Sequence, residues 1–216
     1  MILKGLSNIF ILFFSIILFS ACNKDQIDQK SSDKMNEKKE ALSDKKSTEN
    51  KEVSNKTSDD IKLYKVEKVE KLSGKKSAPN FTWSENGKEM SLKDLKGNVV
   101  VVNLWATWCG PCIKEMPDLS KLSDELKDKN FKMLGLNVFQ QDGSKKVGDF
   151  LKTNPVSYTI LDGNQELVDA FSEANGANIE AVPTTFVIDK DGKIVETIIG
   201  GRDKDSFLKI LNKYIN

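Results

Sequence analysis

The feature that most limits the fold is VVVVNLW (99–105), seven residues without a charge and with four β-branched residues in succession. A strand with one wet face alternates apolar and polar side chains. This run does not, so it reads as a strand buried on both faces. Such a strand needs covering layers above and below, which means helices on both sides of a sheet. The pattern from Ala78 onward agrees. Residues 79–95 (PNFTWSENGKEMSLKDL) hold a short hairpin turning at Asn86-Gly87. Ile113, Met116, Leu119, Leu122 and Leu126 recur at helical spacing across 111–128. FKMLGLNVF (131–139) is a second buried strand and 144–153 a short helix. TILDG (159–163) is a short strand, and NQELVDAFSEA (164–174) a helix. TTFVID (184–189) and KIVETII (193–199) flank a turn at Lys190–Gly192, and a helix runs from Asp203 to Tyr214. The order is β-α-β-α, an inserted β-α unit, then β-β-α. The early βαβ unit requires parallel neighbours and the short 189–192 connection an antiparallel pair. The expected fold class is α/β, one mixed sheet flanked by helices, with an N-terminal hairpin extension and a βα insertion.

The first third of the chain has a different character. Met1 to Ala21 carries Lys4 and then an almost unbroken apolar run from Ile9 to Phe19, short for a bilayer span but suited to a secretory signal. Ser20, Ala21 and Cys22 come next. LFSAC (18–22) resembles the bacterial lipoprotein processing box, which implies cleavage after Ala21 and lipid attachment at Cys22. The alternative is an uncleaved anchor with Cys22 as an ordinary thiol. Both place the remainder on the extracytoplasmic face of a bacterial membrane. Residues 22–77 are crowded with Lys, Asp, Glu, Ser and Asn, too polar to offset the entropy of ordering, and are expected to be a flexible charged tether. A coil of about 50 residues reaches roughly 40 Å. Within it, IKLYKVEKVEKL (61–72) is more apolar, with strand and helix both open. The expected organisation is therefore a signal peptide over 1–21, a tether over 22–77 and a folded domain over 78–216.

Composition removes several functions. The 33 Lys and Arg against 32 Asp and Glu give a formal charge of +1, with the lysines interspersed among acids, so no field favours nucleic acid. There is no histidine, which excludes Ser–His and Cys–His couples and the commonest metal ligand. Three cysteines, two of them paired in sequence, are too few for a usual zinc or iron–sulfur site. No metal and no cofactor is expected.

The chemistry then falls to WCGPC (108–112), where the buried strand gives way to a helix. Two cysteines one helical turn apart have Cα atoms about 5 Å apart, within disulfide range. Cys109 stands at the helix start, where unpaired N–H groups and the helix dipole favour a thiolate; Cys112, one turn inside, is shielded. Pro111 sits in the first turn, where its missing N–H costs nothing. Cys109 is expected to stand exposed at the helix mouth and to form a mixed disulfide that Cys112 resolves. A purely structural disulfide is the competing reading. Haem attachment would need histidine at 113, which is isoleucine.

WATWCGPC (105–112) with AVPTTFVIDKDGKIV (181–195) resembles the thioredoxin superfamily. APNFTW (78–83) and SLKDLKGN (91–98) make the resemblance closer to the exported TlpA/ResA-type reductases. It covers about 78–216 and implies a thioredoxin fold. It implies that Pro183 is the cis-proline beside the cysteines and that the Val182 backbone pairs with substrate. It also matches Glu115 to the acidic residue after the motif, on the same helix face as Cys112, placed to exchange a proton with the resolving thiol. Asn103 occupies the position of the buried aspartate of thioredoxin and cannot itself shuttle a proton. Trp108 is expected at the rim and Trp105 in the core; Pro117 is expected to kink the helix.

The function expected is an extracytoplasmic thiol–disulfide oxidoreductase, a reductase of protein disulfides. Its substrates would be apocytochromes, methionine sulfoxide reductases or other exported proteins, its electron donor a transmembrane thiol carrier. It would be held to the membrane through lipid on Cys22. A disulfide-forming oxidase on the same fold and a lipid-anchored binding module with a structural CxxC are the alternatives. A peroxiredoxin is disfavoured because Thr107 lies too close to Cys109 and the proline of that motif is absent.

Overall fold

The structure, a computed structural model, describes residues 61–215. The expected signal peptide (1–21), Cys22 and the tether up to residue 60 lie outside the described residues.

The elements keep the expected order with one addition at the front. They are β1 (Leu63–Glu70), β2 (Asn80–Glu85), β3 (Lys88–Ser91), a 3-10 turn (Leu92–Leu95), β4 (Val99–Trp105), α1 (Gly110–Leu126), β5 (Phe131–Asn137), α2 (Val147–Thr153), β6 (Thr159–Asp162), α3 (Gln165–Asn175), β7 (Thr184–Ile188), β8 (Ile194–Ile199) and α4 (Lys204–Leu211). One mixed sheet of eight strands runs β3-β2-β1-β6-β5-β4-β7-β8. β4 lies between parallel β5 and antiparallel β7, and β8 closes the edge as the antiparallel partner of β7. The Asp189 carboxylate fixes the β7–β8 turn by accepting from the N–H groups of Asp191 (3.0 Å) and Lys193 (2.8 Å). Gly192 there has φ +85°, which glycine adopts without strain.

β4 is buried at all seven residues because both of its faces are covered. Val99, Val101 and Trp105 alternate into a core shared with α1, α2 and α4, among them Leu119, Phe150 and Phe207. Val100, Val102 and Leu104 enter a second core with Phe81, Phe171 and Phe186, on the side of α3. Pro117 lies within α1, which runs on unbroken to Leu126. It is on the exposed side, where water can serve the carbonyl that loses its partner.

The domain boundary expected at 77/78 is corrected by β1. This strand pairs with β6 in parallel and β2 antiparallel, so it is the piece that joins the hairpin to the main sheet. Its sequence, LYKVEKVE, does not alternate cleanly because the register shifts between Val66 and Lys68. The extra residue of a bulge reverses the parity of the residues beyond it. Tyr64, Val66 and Val69 therefore face the same core despite mixed spacing, while the lysines and glutamates between them stay wet.

Candidate active site

The end of β4 delivers the chain into Ala106–Cys109, and α1 starts at once. Cys109 is the N-cap, in extended conformation (φ −82°, ψ 101°), with its N–H donating to the Ala106 carbonyl at 3.1 Å. Gly110 and Pro111 form the first turn, where Pro111 lacks only an N–H that would have no helical partner. Cys109 and Cys112 are joined as a disulfide with Cα atoms 5.3 Å apart. The N–H of Cys112 points at Cys109 Sγ from 3.2 Å. That donor and the N-terminal end of a 17-residue helix converge on the same sulfur.

The expectation that Cys109 stands exposed is corrected: in the disulfide it is 3% exposed, and Cys112 is 0% exposed. Cover comes from its disulfide partner and from the β7 approach, where the Val182 carbonyl oxygen lies 3.5 Å from Cys109 Sγ. The order of access survives, since only the first cysteine touches solvent. Val182–Pro183 is a cis peptide bond, as the resemblance implied. Its loop is closed by Thr184 Oγ1 donating to the Ala181 carbonyl (2.8 Å) and by Gly200 N–H donating to the Pro183 carbonyl (2.8 Å).

Trp108 is 42% exposed beside the disulfide, while Trp105 is fully buried. The Trp108 indole is held by a 2.7 Å hydrogen bond from its Nε1 to the Phe139 carbonyl. Thr107 Oγ1 donates to the Lys145 carbonyl at 3.0 Å, so the loop after β5 is tied to the same rim. The other large exposed apolar residue among those described is Ile199 (69%), paired with Thr184 at the end of β8. Sequence reasoning missed Ile199. The signal was there in a strand-end isoleucine set against Gly200-Gly201, out of step with the inward Ile194 and Ile198.

Glu115 is 4% exposed, on the buried stripe of α1 with Cys112 and Met116. Asn103 Nδ2 donates to its Oε1 at 2.9 Å and, from the same nitrogen, to Thr185 Oγ1 at 2.9 Å. The Arg202 N–H donates to Oε2 at 3.1 Å. Burial pushes the Glu115 carboxyl above the usual carboxylate range; the Arg202 and Asn103 donors and the Arg202 charge oppose this without cancelling it. A group so placed can hold a proton closer to neutral pH than an ordinary glutamate. The sequence offered Asn103 only as a residue unable to shuttle protons. Its part as the donor linking Glu115 to the strand after Pro183 depends on residues 12 and 82 positions away.

The arrangement brings Cys109, Cys112, Trp108, Glu115, Val182 and Pro183 to the carboxyl end of β4. Among the described residues no group of three or more Cys, Asp and Glu could hold a metal ion.

Over most of the described residues the chain is similar to known proteins. The redoxin family model matches residues 72–213. A thiol-disulfide oxidoreductase ResA of Bacillus anthracis is 36% identical over 146 residues, 67% of this chain and 80% of that protein. The ResA of Bacillus subtilis (strain 168) is 34% identical over 135 residues, 61% of this chain and 70% of that protein. Among solved structures, a thioredoxin-family thiol:disulfide interchange protein from Chlorobium tepidum TLS superposes with a TM-score of 0.58 at 32% identity. That match covers 67% of this chain and 99% of the other.

Proposed function

The chain belongs to the redoxin family, as a TlpA/ResA-like thiol–disulfide oxidoreductase of the thioredoxin superfamily, and from that footing we propose that it reduces protein disulfides outside the cytoplasmic membrane. The observation that carries the site assignment is the meeting at Cys109 Sγ of the Cys112 N–H (3.2 Å) and the Val182 carbonyl (3.5 Å). One contact favours negative charge on the sulfur. The other sets that sulfur beside a backbone free to pair with an extended substrate.

In the reduced enzyme, the Cys109 thiolate attacks one sulfur of a substrate disulfide. The substrate S–S bond breaks, its other sulfur leaves as a thiolate and takes a proton, and a mixed disulfide forms on Cys109. Glu115 accepts the proton of Cys112. The Cys112 thiolate then attacks Cys109 Sγ, forming the Cys109–Cys112 disulfide and expelling the second substrate thiolate. The substrate gains two electrons and the enzyme loses them, so a thiol donor must reduce the enzyme before the next cycle. Trp108, Val182 and Pro183 seat the substrate chain.

In this proposal residues 1–21 are a lipoprotein signal, Cys22 carries the lipid, and the charged stretch to about residue 60 is the tether. The donor is a transmembrane thiol carrier. The acceptors are disulfides of apocytochromes, methionine sulfoxide reductases or other exported proteins. Trapping tests the assignment: Cys112→Ala accumulates substrates as stable mixed disulfides on Cys109, and Cys109→Ala accumulates none. Equal yields of captured proteins from the two variants would overturn the roles.

A further inference from the structure

Behind the active-site helix, four side chains carry buried polar atoms that no protein group satisfies: Asn103 Oδ1, Trp105 Nε1, both amide atoms of Asn137, and Tyr158 OH. They share one face of the sheet. Asn103 and Trp105 lie two residues apart on β4, hence on the same side, and Asn137 stands beside Trp105 on β5. Tyr158, just before β6, packs in the same core as Trp105, Cys112 and Met116. At the middle of this face Gly135, paired with Asn103 on one side and Ile160 on the other, contributes no side chain. A Cβ built on Gly135 would stand 2.7 Å from Ile160 Cδ1, 3.0 Å from Tyr158 Cε2 and 3.3 Å from Trp105 Nε1. The indole N–H and the phenol ring therefore converge above this glycine.

The lid on this region is α1. Ser157 is tied to Ser120 of that helix, through N–H to Oγ (3.4 Å) and Oγ to carbonyl (3.0 Å), which draws Tyr158 beneath the helix that carries Glu115. Burial, and then the nearby Glu115 charge, hold the Tyr158 hydroxyl protonated well above the ordinary phenol range.

Buried polar atoms in folded proteins are nearly all satisfied, by protein or by ordered water, and a polar-lined interior space holds water where an apolar one stays dry. The unsatisfied set supplies donors (Trp105 Nε1, Asn137 Nδ2, Tyr158 OH) and acceptors (Asn103 Oδ1, Asn137 Oδ1), matching water's two hydrogens and two lone pairs. We propose that these groups frame a buried hydration site that ties the Tyr158 hydroxyl to the Asn103–Glu115 pair. This rests on the reading of Glu115 as the proton acceptor for Cys112 and makes Tyr158 a positioning residue for it, acting through water. The groups acting on Glu115 are Cys112, one turn earlier on the buried stripe of its own helix, Asn103 from β4, the Arg202 N–H from the turn before α4 with the charge of Arg202, whose guanidinium is turned to the Gly200 and Gly201 carbonyls, and Tyr158 from the β6 side.

Two measurements on the oxidised, ¹⁵N- and ¹³C-labelled protein test the site without turnover. Water-selective NOE spectra should show a cross-peak from the buried Trp105 indole N–H to long-lived water, both in the wild type and in Tyr158→Phe, which lacks the Tyr158 hydroxyl proton that could imitate water. Absence of the peak in the wild type, or its loss in Tyr158→Phe, would overturn the hydration site. Titration of the Glu115 carboxyl carbon should move upward by about half a unit in Tyr158→Phe, because the hydroxyl that orients the bridging water toward the charged Asn103–Glu115 pair is removed. An unmoved titration would overturn the link to Tyr158. Neither readout depends on catalysis, so a kinetically silent Glu115→Gln would sink the proton-acceptor role while leaving both signals in place.

Discussion

Asn103→Leu isolates the cradle around Glu115. The substitution keeps the branching and the number of heavy atoms but removes the nitrogen that donates to both Glu115 Oε1 and Thr185 Oγ1 at 2.9 Å. The ionised carboxylate is then left with the Arg202 N–H at 3.1 Å as its hydrogen-bond donor. A hydrogen bond to a charged group contributes about 1.5–3 kcal/mol and one between neutral groups about 0.5–1.5 kcal/mol, so the variant should lose about 1 kcal/mol more when Glu115 is ionised than when it is protonated. The direction with pH is set by burial, which already raises the folded carboxyl above its unfolded value. Stability linked to Glu115 is thus fully present below the unfolded carboxyl pKa and is lost as pH rises through the folded one. Removing a donor raises the folded value further, so the gap between wild type and variant should widen from acid toward alkaline pH. The lost bond to Thr185 does not titrate and adds a constant offset. Urea unfolding of the oxidised proteins between about pH 4 and pH 8.5 reads both parts, since the span brackets the ordinary carboxylate value. A gap that stays constant across the series, or narrows as pH rises, would refute the coupling of Asn103 to the charge on Glu115.

Gly135→Ala should cost about 1–3 kcal/mol, because its methyl would press on Ile160 and on the rigid Tyr158 ring; a denaturant midpoint unchanged from the wild type would contradict this packing. Trp108→Ala should lower kcat/KM for protein disulfides roughly five- to tenfold, the equivalent of about 1 kcal/mol, while sparing the midpoint of unfolding, since the indole is an exposed rim group. Equal losses on a small dialkyl disulfide would assign the tryptophan to the chemistry instead of to docking. Deleting residues 1–71 should separate the β2–β3 hairpin from the sheet, seen as early hydrogen exchange in Phe81 and Trp83; full protection there would show β1 to be dispensable.

Much of this was legible in the chain because it rests on local patterns. Four valines and then Asn-Leu-Trp require a strand covered on both sides, and both cores are present around β4. Cysteines three residues apart at a helix start require the short Cα separation observed. What failed to show involved parity or distance along the chain. A bulge in β1 scrambled the alternation of LYKVEKVE, so its apolar residues fit neither period cleanly. The cover over Cys109 comes from the Val182 carbonyl, a backbone group with no signature in residue type. Tyr158, a lone tyrosine before a four-residue strand, gains meaning only once Gly135, Trp105 and α1 are stacked around it. Local propensity cannot foresee a contact made by tertiary packing.

The most direct test of the central claim is the order in which the two sulfurs react. After full reduction, the protein is treated briefly with iodoacetamide near neutral pH and each cysteine's labelling is tracked by mass spectrometry. The account predicts rapid modification of Cys109, which faces the rim and receives the Cys112 N–H, with Cys112 left untouched beneath it. Labelling of Cys112 first, or of both at the same rate, would contradict it.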